Sequence, residues 1–153
     1  MVYQYKYKVS GLNKAPAQVT GEVCSSLEKS VGLTPKTLLD ASRDENAPLH
    51  NEFEWNDGVA AEKYREYQAA AIIRNLVIVR EDTGKEETRA FVNIEHAPGR
   101  TGTYRAIQQV IKDDYMYAQL MKQAERDMWS FKQKYSKLER LSAVIAEMEK
   151  IIA

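Results

Sequence analysis

The stretch TYRAIQQVIKDDYMYAQLMKQAERDMWSFKQKYSKLERLSAVIAEMEKIIA occupies residues 103–153. It contains no Gly and no Pro, and its apolar residues recur at alternating steps of three and four. That spacing is the period of a helix that buries one stripe of side chains. A single helix would be about 75 Å long, which exceeds the width of a domain of this size. We therefore predict a break at Ser136, which has capping-box spacing to Glu139, and a second helix over residues 137–152.

A strand and three helical segments are predicted upstream of this tail. Tyrosines and a Val alternate with Gln and Lys over residues 3–9, which is typical of a half-buried strand. Apolar residues at helical spacing follow over residues 16–31, and Gly32 is placed to end this helix in a left-handed cap. Thr34 and Pro35 then offer the N-cap and the first-turn residue of a second helix. A third helix is predicted over residues 59–74. Its two adjoining faces would be lined by Ala61, Tyr64, Gln68 and Ile72 and by Ala60, Tyr64, Tyr67 and Ala71.

A β-hairpin is predicted after the third helix. The runs at residues 76–80 and 89–95 are rich in β-branched residues, and the polar loop between them contains a Gly. A strand, three helices and a hairpin form the outline of a winged helix. The sequence thus predicts an α+β, mostly helical fold. A winged-helix-like body would occupy residues 1–98, and a two-helix C-terminal tail residues 99–153.

Composition excludes several classes of protein. The 22 basic and 22 acidic residues give a formal net charge of zero, so no global field steers the chain toward polyanions. A lone cysteine, Cys24, cannot form an intramolecular disulfide and suits a reducing compartment. Neither a membrane-spanning run nor a signal-peptide core is present in the sequence. These features predict a cytoplasmic protein that does not enter membranes.

Residues of catalytic or metal-binding type are sparse. His50 and His96 are the only histidines, and with Cys24 they lack the short, regular ligand spacing of a zinc site. Cys24 lies among apolar helix positions, which favours a buried structural thiol over a nucleophile. We therefore predict no metal, no cofactor and no enzymatic activity.

Cationic and amide side chains form the candidate nucleic-acid surface. The third helix precedes the hairpin, in the place of a recognition helix, and its side chains of this type are suited to base edges and phosphates. The hairpin and the linker after it add further cations. The candidates are Lys63, Arg65, Gln68, Arg74, Lys85, Arg89, Arg100 and Arg105. Acidic neighbours such as Glu62 and Glu86 oppose this interpretation, and a solvated, internally paired helix face is the alternative.

An acidic loop offers a different candidate surface. Residues 44–57 contain five acidic residues and no Lys or Arg. The segment Glu52, Phe53, Glu54 and Trp55 would suit a basic host protein that itself binds nucleic acid. The alternative is that its aromatic residues tuck the loop onto the domain.

The tail also allows two arrangements. Its stripe either folds back to complete one core or packs on a second copy as a homodimer. Tyr, Met and Phe at stripe positions fit an irregular contact better than a regular zipper. A stripe of this length would not stay exposed.

Several segments carry a resemblance to a known class of proteins. They are LTPKTLLDASR at residues 33–43, PLH at 48–50, FEW at 53–55 and AAEKYR at 60–65, together with the apolar pattern of the tail. The chain resembles small proteins, without assigned activity, that bacterial phages and prophages encode. The resemblance implies a viral or mobile-element origin and a role inside a bacterial host cell.

These observations predict a non-catalytic, phage-type DNA-binding regulator or accessory factor that forms a homodimer through its C-terminal helices. One alternative is a phage-encoded protein that binds and inhibits a host antiviral defence system. Another is a virion or scaffolding component.

Overall fold

The structure is a computed structural model that describes residues 3–94 and 102–152. The described residues form an α+β fold with six α-helices and two small antiparallel sheets. The chain divides into two compact units, Met1–Gln109 and Val110–Ala153. Each unit is described by itself below.

Three helices and a three-stranded sheet make up most of the first unit. Strand β1 spans Tyr3–Tyr7 and is followed by helices α1 (Ala17–Lys29), α2 (Pro35–Ala41) and α3 (Val59–Asn75). Strands β2 (Leu76–Arg80) and β3 (Thr88–Arg89) complete the sheet, whose order is β1-β2-β3. β1 therefore lies at one edge and pairs antiparallel with the whole of β2.

Local sequence signals account for the ends of α1 and α2. Gly32 follows α1 in the left-handed region, at φ +94, as expected for a glycine that terminates a helix. Thr34 caps α2: its Oγ1 accepts a hydrogen bond from Thr37 N at 3.0 Å, and Thr34 N donates to Thr37 Oγ1 at 2.9 Å. This reciprocal exchange satisfies two amides that the first turn leaves without helical partners.

Gly21 lets α1 approach β1 closely. A Cβ at this position would overlap the ring of Tyr5, which is itself stacked on Phe91 with ring centroids 6.2 Å apart. Only the absence of a side chain permits this contact, although Gly within a helix costs about 1 kcal/mol relative to Ala.

The second sheet differs from the predicted hairpin. The turn after β2 leads back into β3, but β3 pairs with β2 only through Thr88 and Arg89. The next strand, β4 (Phe91–Ile94), pairs instead with β5 (Thr103–Ala106). The chain thus changes partner at Ala90, and residues 103–106, which the sequence assigned to the tail, form a strand of the first unit.

The core of the first unit lies between the helices and the sheets. Its members come from every helix of the body and from strands β2, β4 and β5. They include Cys24, Leu33, Leu38, Leu39, Leu49, Ile73, Leu76 and Phe91, each no more than 1% exposed.

The second unit contains two long segments of helix. α4 (Ile107–Lys112) crosses the boundary between the units, and α5 (Asp114–Tyr135) begins at an Asp113 cap, whose Oδ1 accepts from Met116 N at 2.8 Å. α6 (Ser142–Ile152) packs on α5, and Lys132 and Glu149 form an ion pair of 3.0 Å between them. No helix among the described residues combines the length and apolar character needed to cross a bilayer.

The break in the tail is confirmed, but its predicted capping box is wrong. α5 ends at Tyr135, and its C-cap Ser136 has a helical backbone and an N–H that donates to Lys132 O at 3.0 Å. A short 3-10 turn follows at Glu139–Leu141. α6 then begins at Ser142 rather than near residue 137.

Candidate nucleic-acid interface

Helix α3 has a buried side and an exposed side. Ala69, Ile72 and Ile73 face the core, and each is at most 4% exposed. The opposite side carries what we call the outer stripe, which consists of Lys63, Tyr64, Tyr67, Ala71 and Arg74. These five exposed positions fall within an arc of about 100° on the helix. Both tyrosines are prominent, at 56% exposed for Tyr64 and 72% for Tyr67.

The charge on the outer stripe is positive. It contains two cations and no carboxylate. Two acidic residues of α3 lie beside it, and both are paired with cations. Glu62 bonds to Arg43 and lies 3.4 Å from Arg65, and the hydrogen bond from Arg43 lowers the pKa of Glu62. Glu66 lies 3.6 Å from Lys63 Nζ.

Arg74 differs from the other cations of this helix. It is exposed in the last turn of α3, and no ion-pair partner for it occurs among residues 3–94 and 102–152. Its charge is therefore accessible to an anion from outside the chain.

The side chain of Arg65, a predicted phosphate or base contact, is buried and hydrogen-bonded within the protein. It is 4% exposed, and its Nε donates to the carbonyl of Glu54 at 2.5 Å. Its Nη2 donates to the carbonyl of Asn56 at 3.0 Å and to Asp57 Oδ1 at 3.3 Å. The guanidinium also lies over the ring of Trp55. The acidic loop uses the donors of Arg65, so the structure does not present this predicted contact at the surface.

Gln68 is also engaged within the protein. Its Oε1 accepts a hydrogen bond from Glu54 N at 3.3 Å. Its side chain lines a small cavity together with Asn13, Glu52 and Asn75. Gln68 is thus part of the attachment of the acidic loop to α3.

The β2–β3 turn contains Lys85, but most of the charged residues around it are acidic. Lys85 and Arg89 are both exposed, as predicted for a wing. Arg80 lies 2.7 Å from Asp82 and 3.4 Å from Glu86. Residues 81–87 carry four acidic side chains and one Lys, so this turn has a net negative charge and offers a weaker anion site than the outer stripe.

Of the two arginines predicted in the linker, Arg100 and Arg105, the structure describes only Arg105. Arg100 lies outside the described residues. Arg105 is in β5, where its Nε lies 2.9 Å from Oε1 of Glu28 on α1, and the side chain of Glu28 is 3% exposed. Arg105 compensates a buried carboxylate, and because its side chain is still 35% exposed, its role in holding phosphate stays a prediction.

The acidic loop is held against the body by its own side chains. Glu52 accepts hydrogen bonds from Ala15 N at 2.7 Å and from Asn13 Nδ2 at 3.0 Å. Phe53 is 7% exposed and belongs to the core. Trp55 Nε1 donates to the carbonyl of His50 at 2.7 Å, and its ring stacks on the His50 imidazole.

Of the four residues predicted to bind a protein partner, only Glu54 has an exposed side chain. Its Oε1 accepts from Asn56 N at 3.1 Å, a bond within the loop. The alternative in which the aromatics tuck the loop onto the domain is the observed one. Partner binding by this loop stays a prediction, although Phe53 lies in the core and Glu52 and Trp55 use their polar groups internally.

The titratable groups of catalytic type are isolated in the structure. Burial raises the pKa of the Cys24 thiol to about 12, which keeps it protonated and unreactive. His50 lies with Nδ1 2.9 Å from the carbonyl of Ser42 and forms part of the aromatic stack. His96 lies outside the described residues. Within the described ranges no group of His, Cys, Asp and Glu is arranged to hold a metal ion.

A shallow groove borders the outer stripe. It has a volume of about 270 Å³ and is lined by Pro35 of α2 and by Lys63, Glu66, Tyr67 and Ala70 of α3. Sequence reasoning assigned Tyr64 and Tyr67 to packing faces and missed their exposure. A usable signal existed, because α3 carries large apolar residues around most of its circumference and the core covers only one side.

Comparisons with protein-family models, with curated proteins and with solved structures find no match to this chain.

Proposed function

We propose that this chain is a non-catalytic, nucleic-acid-binding accessory factor or regulator of the phage type that contacts DNA through the outer stripe of α3. The observation that carries the proposal is the composition of that stripe, which joins two cations to two exposed tyrosines and contains no carboxylate. Lys and Arg hold phosphates, and aromatic rings stack on bases.

A winged-helix-like body is the finer part of this proposal. In it, α3 is the helix presented to DNA and the β2–β3 turn flanks it. The order strand, three helices, strand and returning strand supports this arrangement. Because Arg65 and Gln68 are engaged internally, the contacts favour an accessory factor over a sequence-reading regulator. The bacterial cytoplasm is the place where such a protein would meet DNA.

An anisotropy titration across a salt series tests the proposal. We expect binding to labelled DNA at about 50 mM salt that weakens steeply toward 200 mM. Replacing both Lys63 and Arg74 by Ala should weaken binding and flatten the salt dependence. Lys29→Ala with Arg140→Ala removes the same charge from exposed positions elsewhere and serves as the control. Absence of binding at low salt rejects the proposal.

Homodimer formation through the C-terminal helices belongs to the same proposal. None of the 22 residues of α5 is fully buried, and Trp129 is 49% exposed. Trp129 lines a groove of about 330 Å³ with Lys122, Glu125, Arg126 and Ile152. Charges of both signs around an exposed Trp make a patch that suits contact with a second copy about a two-fold axis.

Protein binding is the second candidate function, and the groove beside Tyr67 favours it. Exposed Tyr and Arg side chains are frequent hot spots of protein interfaces. The partner would be a host defence protein or, for a virion or scaffolding component, another phage protein. A pull-down from host lysate that returns one stoichiometric partner, lost in Tyr67→Ala, combined with no DNA affinity, would favour this candidate over the first.

A further inference from the structure

We propose that the nucleic acid held by the outer stripe is single-stranded, an inference that rests on the proposed function. A duplex hides its base faces inside the stack and offers a protein only base edges and phosphates. A single strand exposes the base faces themselves. The side chains that remain free on α3 are suited to the second kind of ligand.

Two side chains of α3 that could read base edges, Arg65 and Gln68, are engaged within the protein. Such reading needs long polar side chains with free donors and acceptors. Arg65 is 4% exposed and donates to the carbonyls of Glu54 and Asn56. Gln68 accepts from the Glu54 amide. For a major-groove contact α3 therefore offers Lys63 and Arg74, side chains that serve phosphates equally well.

Exposed aromatic rings take their place. Tyr64 and Tyr67 are one helical turn apart and are 56% and 72% exposed. Neither ring pairs with another ring or with a cation among the residues that the structure describes. Ala71, which follows them on the stripe, is too small to cover the second ring. The ring faces are thus open to stacking partners.

The two cations flank the rings. Lys63 and Arg74 are separated by eleven residues, which places them about 16 Å apart along the helix axis. A backbone that runs along α3 would meet one cation before the tyrosines and the other after them. Phosphate contacts at both ends with stacking between them is the usual chemistry of sequence-tolerant single-strand binding.

A competition between probes of equal length tests the inference. Anisotropy titrations of the full chain would use labelled oligothymidylate, the corresponding oligouridylate and a DNA duplex. We expect either single strand to bind more tightly than the duplex. Tyr64→Ala with Tyr67→Ala should weaken single-strand binding by at least about fivefold, which corresponds to the loss of one stacked base.

Two control variants and a circular dichroism measurement separate stacking from hydroxyl contacts and from folding. Tyr64→Phe with Tyr67→Phe keeps both rings and should retain binding. Tyr115→Ala with Tyr117→Ala removes two rings of comparable exposure from α5, and it should also retain binding. Ala is the best helix former, so the Tyr64 and Tyr67 replacements should keep α3 intact, which circular dichroism would verify.

The outcomes are distinct for the two levels of the proposal. Equal or tighter binding of the duplex overturns single-strand preference but leaves DNA binding in place. Single-strand binding that is unchanged by Tyr64→Ala with Tyr67→Ala removes the outer stripe as the site. Failure of all three probes to bind at low salt overturns both the inference and the proposed function.

Discussion

The guanidinium of Arg65 lies over the indole ring of Trp55, with Cζ 5.1 Å from the ring centroid. The same indole stacks on the imidazole of His50, with centroids 4.7 Å apart and planes within 5°. This three-member stack joins α3 to the acidic loop. Sequence patterns associate cations and aromatic rings with binding. In this stack, one cation and two rings instead join α3 to the acidic loop.

Arg65→Ala should destabilise the first unit by about 2–4 kcal/mol. The change removes hydrogen bonds to two backbone carbonyls and leaves those acceptors without a partner near a buried site. Urea unfolding followed by circular dichroism measures the loss. Arg74→Ala, on the exposed side of the same helix, is the matched control and should stay within about 0.5 kcal/mol of the wild type.

Arg65→Lys separates charge from geometry at the same position. Lys keeps the positive charge but lacks the planar fork that reaches Glu54, Asn56 and Asp57 together. We expect it to recover less than half of the stability lost in Arg65→Ala. Equal stability of wild type and Arg65→Ala would contradict the stabilising role of the contacts between Arg65 and the acidic loop.

Gly21→Ala should destabilise the protein, against the usual direction of this change within a helix. Gly to Ala normally gains about 1 kcal/mol in a helix interior. Here the added Cβ meets the ring of Tyr5, which is stacked on Phe91 and cannot easily move. We expect a net loss of about 1–3 kcal/mol in chemical unfolding.

A second background tests the cause of that loss. In Tyr5→Ala protein the obstructing ring is gone, so Gly21→Ala should become neutral or stabilising. A loss of the same size in both backgrounds would rule out steric contact with Tyr5.

The free energy of unfolding should decrease at alkaline pH because of Cys24. Burial raises the pKa of this thiol to about 12, whereas an unfolded thiol titrates near about 8.5. A group whose pKa is raised on folding makes its full contribution to stability at pH values below its unfolded pKa. That contribution is lost as the pH rises toward its folded pKa. The effect should reach about 2 kcal/mol between pH 7 and 10. Urea unfolding at both pH values should show a smaller decrease in Cys24→Ala.

Tyr5 and Tyr7 contribute in the same direction, since burial raises the pKa of both hydroxyls. A residual alkaline loss of stability in Cys24→Ala is therefore expected above pH 10.

Iodoacetamide should label Cys24 only after unfolding. Rapid labelling of the native protein at pH 8 would contradict the burial of the thiol.

The chain should sediment as a dimer, and Trp129→Glu should make it monomeric. The change places a charge at the centre of a patch whose Trp would be an anchor in a two-fold contact. Analytical ultracentrifugation over a wide concentration range measures the mass. Val31→Glu introduces the same charge at an apolar residue that is 72% exposed in the first unit, and it should leave the dimer intact. A wild-type monomer at every concentration would rule out this contact.

Local signals in the sequence were sufficient for most element boundaries. The strand predicted over residues 3–9 is found over residues 3–7, and the Thr34 cap, the left-handed Gly32 and the strand at residues 76–80 are confirmed. Each depends on interactions within a few residues, which a single sequence can reveal.

Long-range partners were the part that sequence patterns did not reveal. Tyr104 fits the helical stripe of the tail, yet it lies in β5, because Tyr104 N donates to the carbonyl of Leu33 at 2.6 Å. Arg65 and Arg105 resembled solvated cations because their acceptors, Glu54 and Glu28, are distant in sequence. The orientation of a charged side chain depends on such partners, and periodicity carries no information about them.

The position of β1 at the margin of its sheet has a consequence for handling the protein at high concentration. One side of this strand has no ladder partner among the described residues, so its peptide groups are a template for fibrillar growth by other chains. Lys6 is paired with Glu87 at 2.6 Å, whereas the exposed Lys8, just after the strand, places a charge near this edge and discourages such stacking. Neutralising Lys8 by acetylation would remove this protection without touching the core.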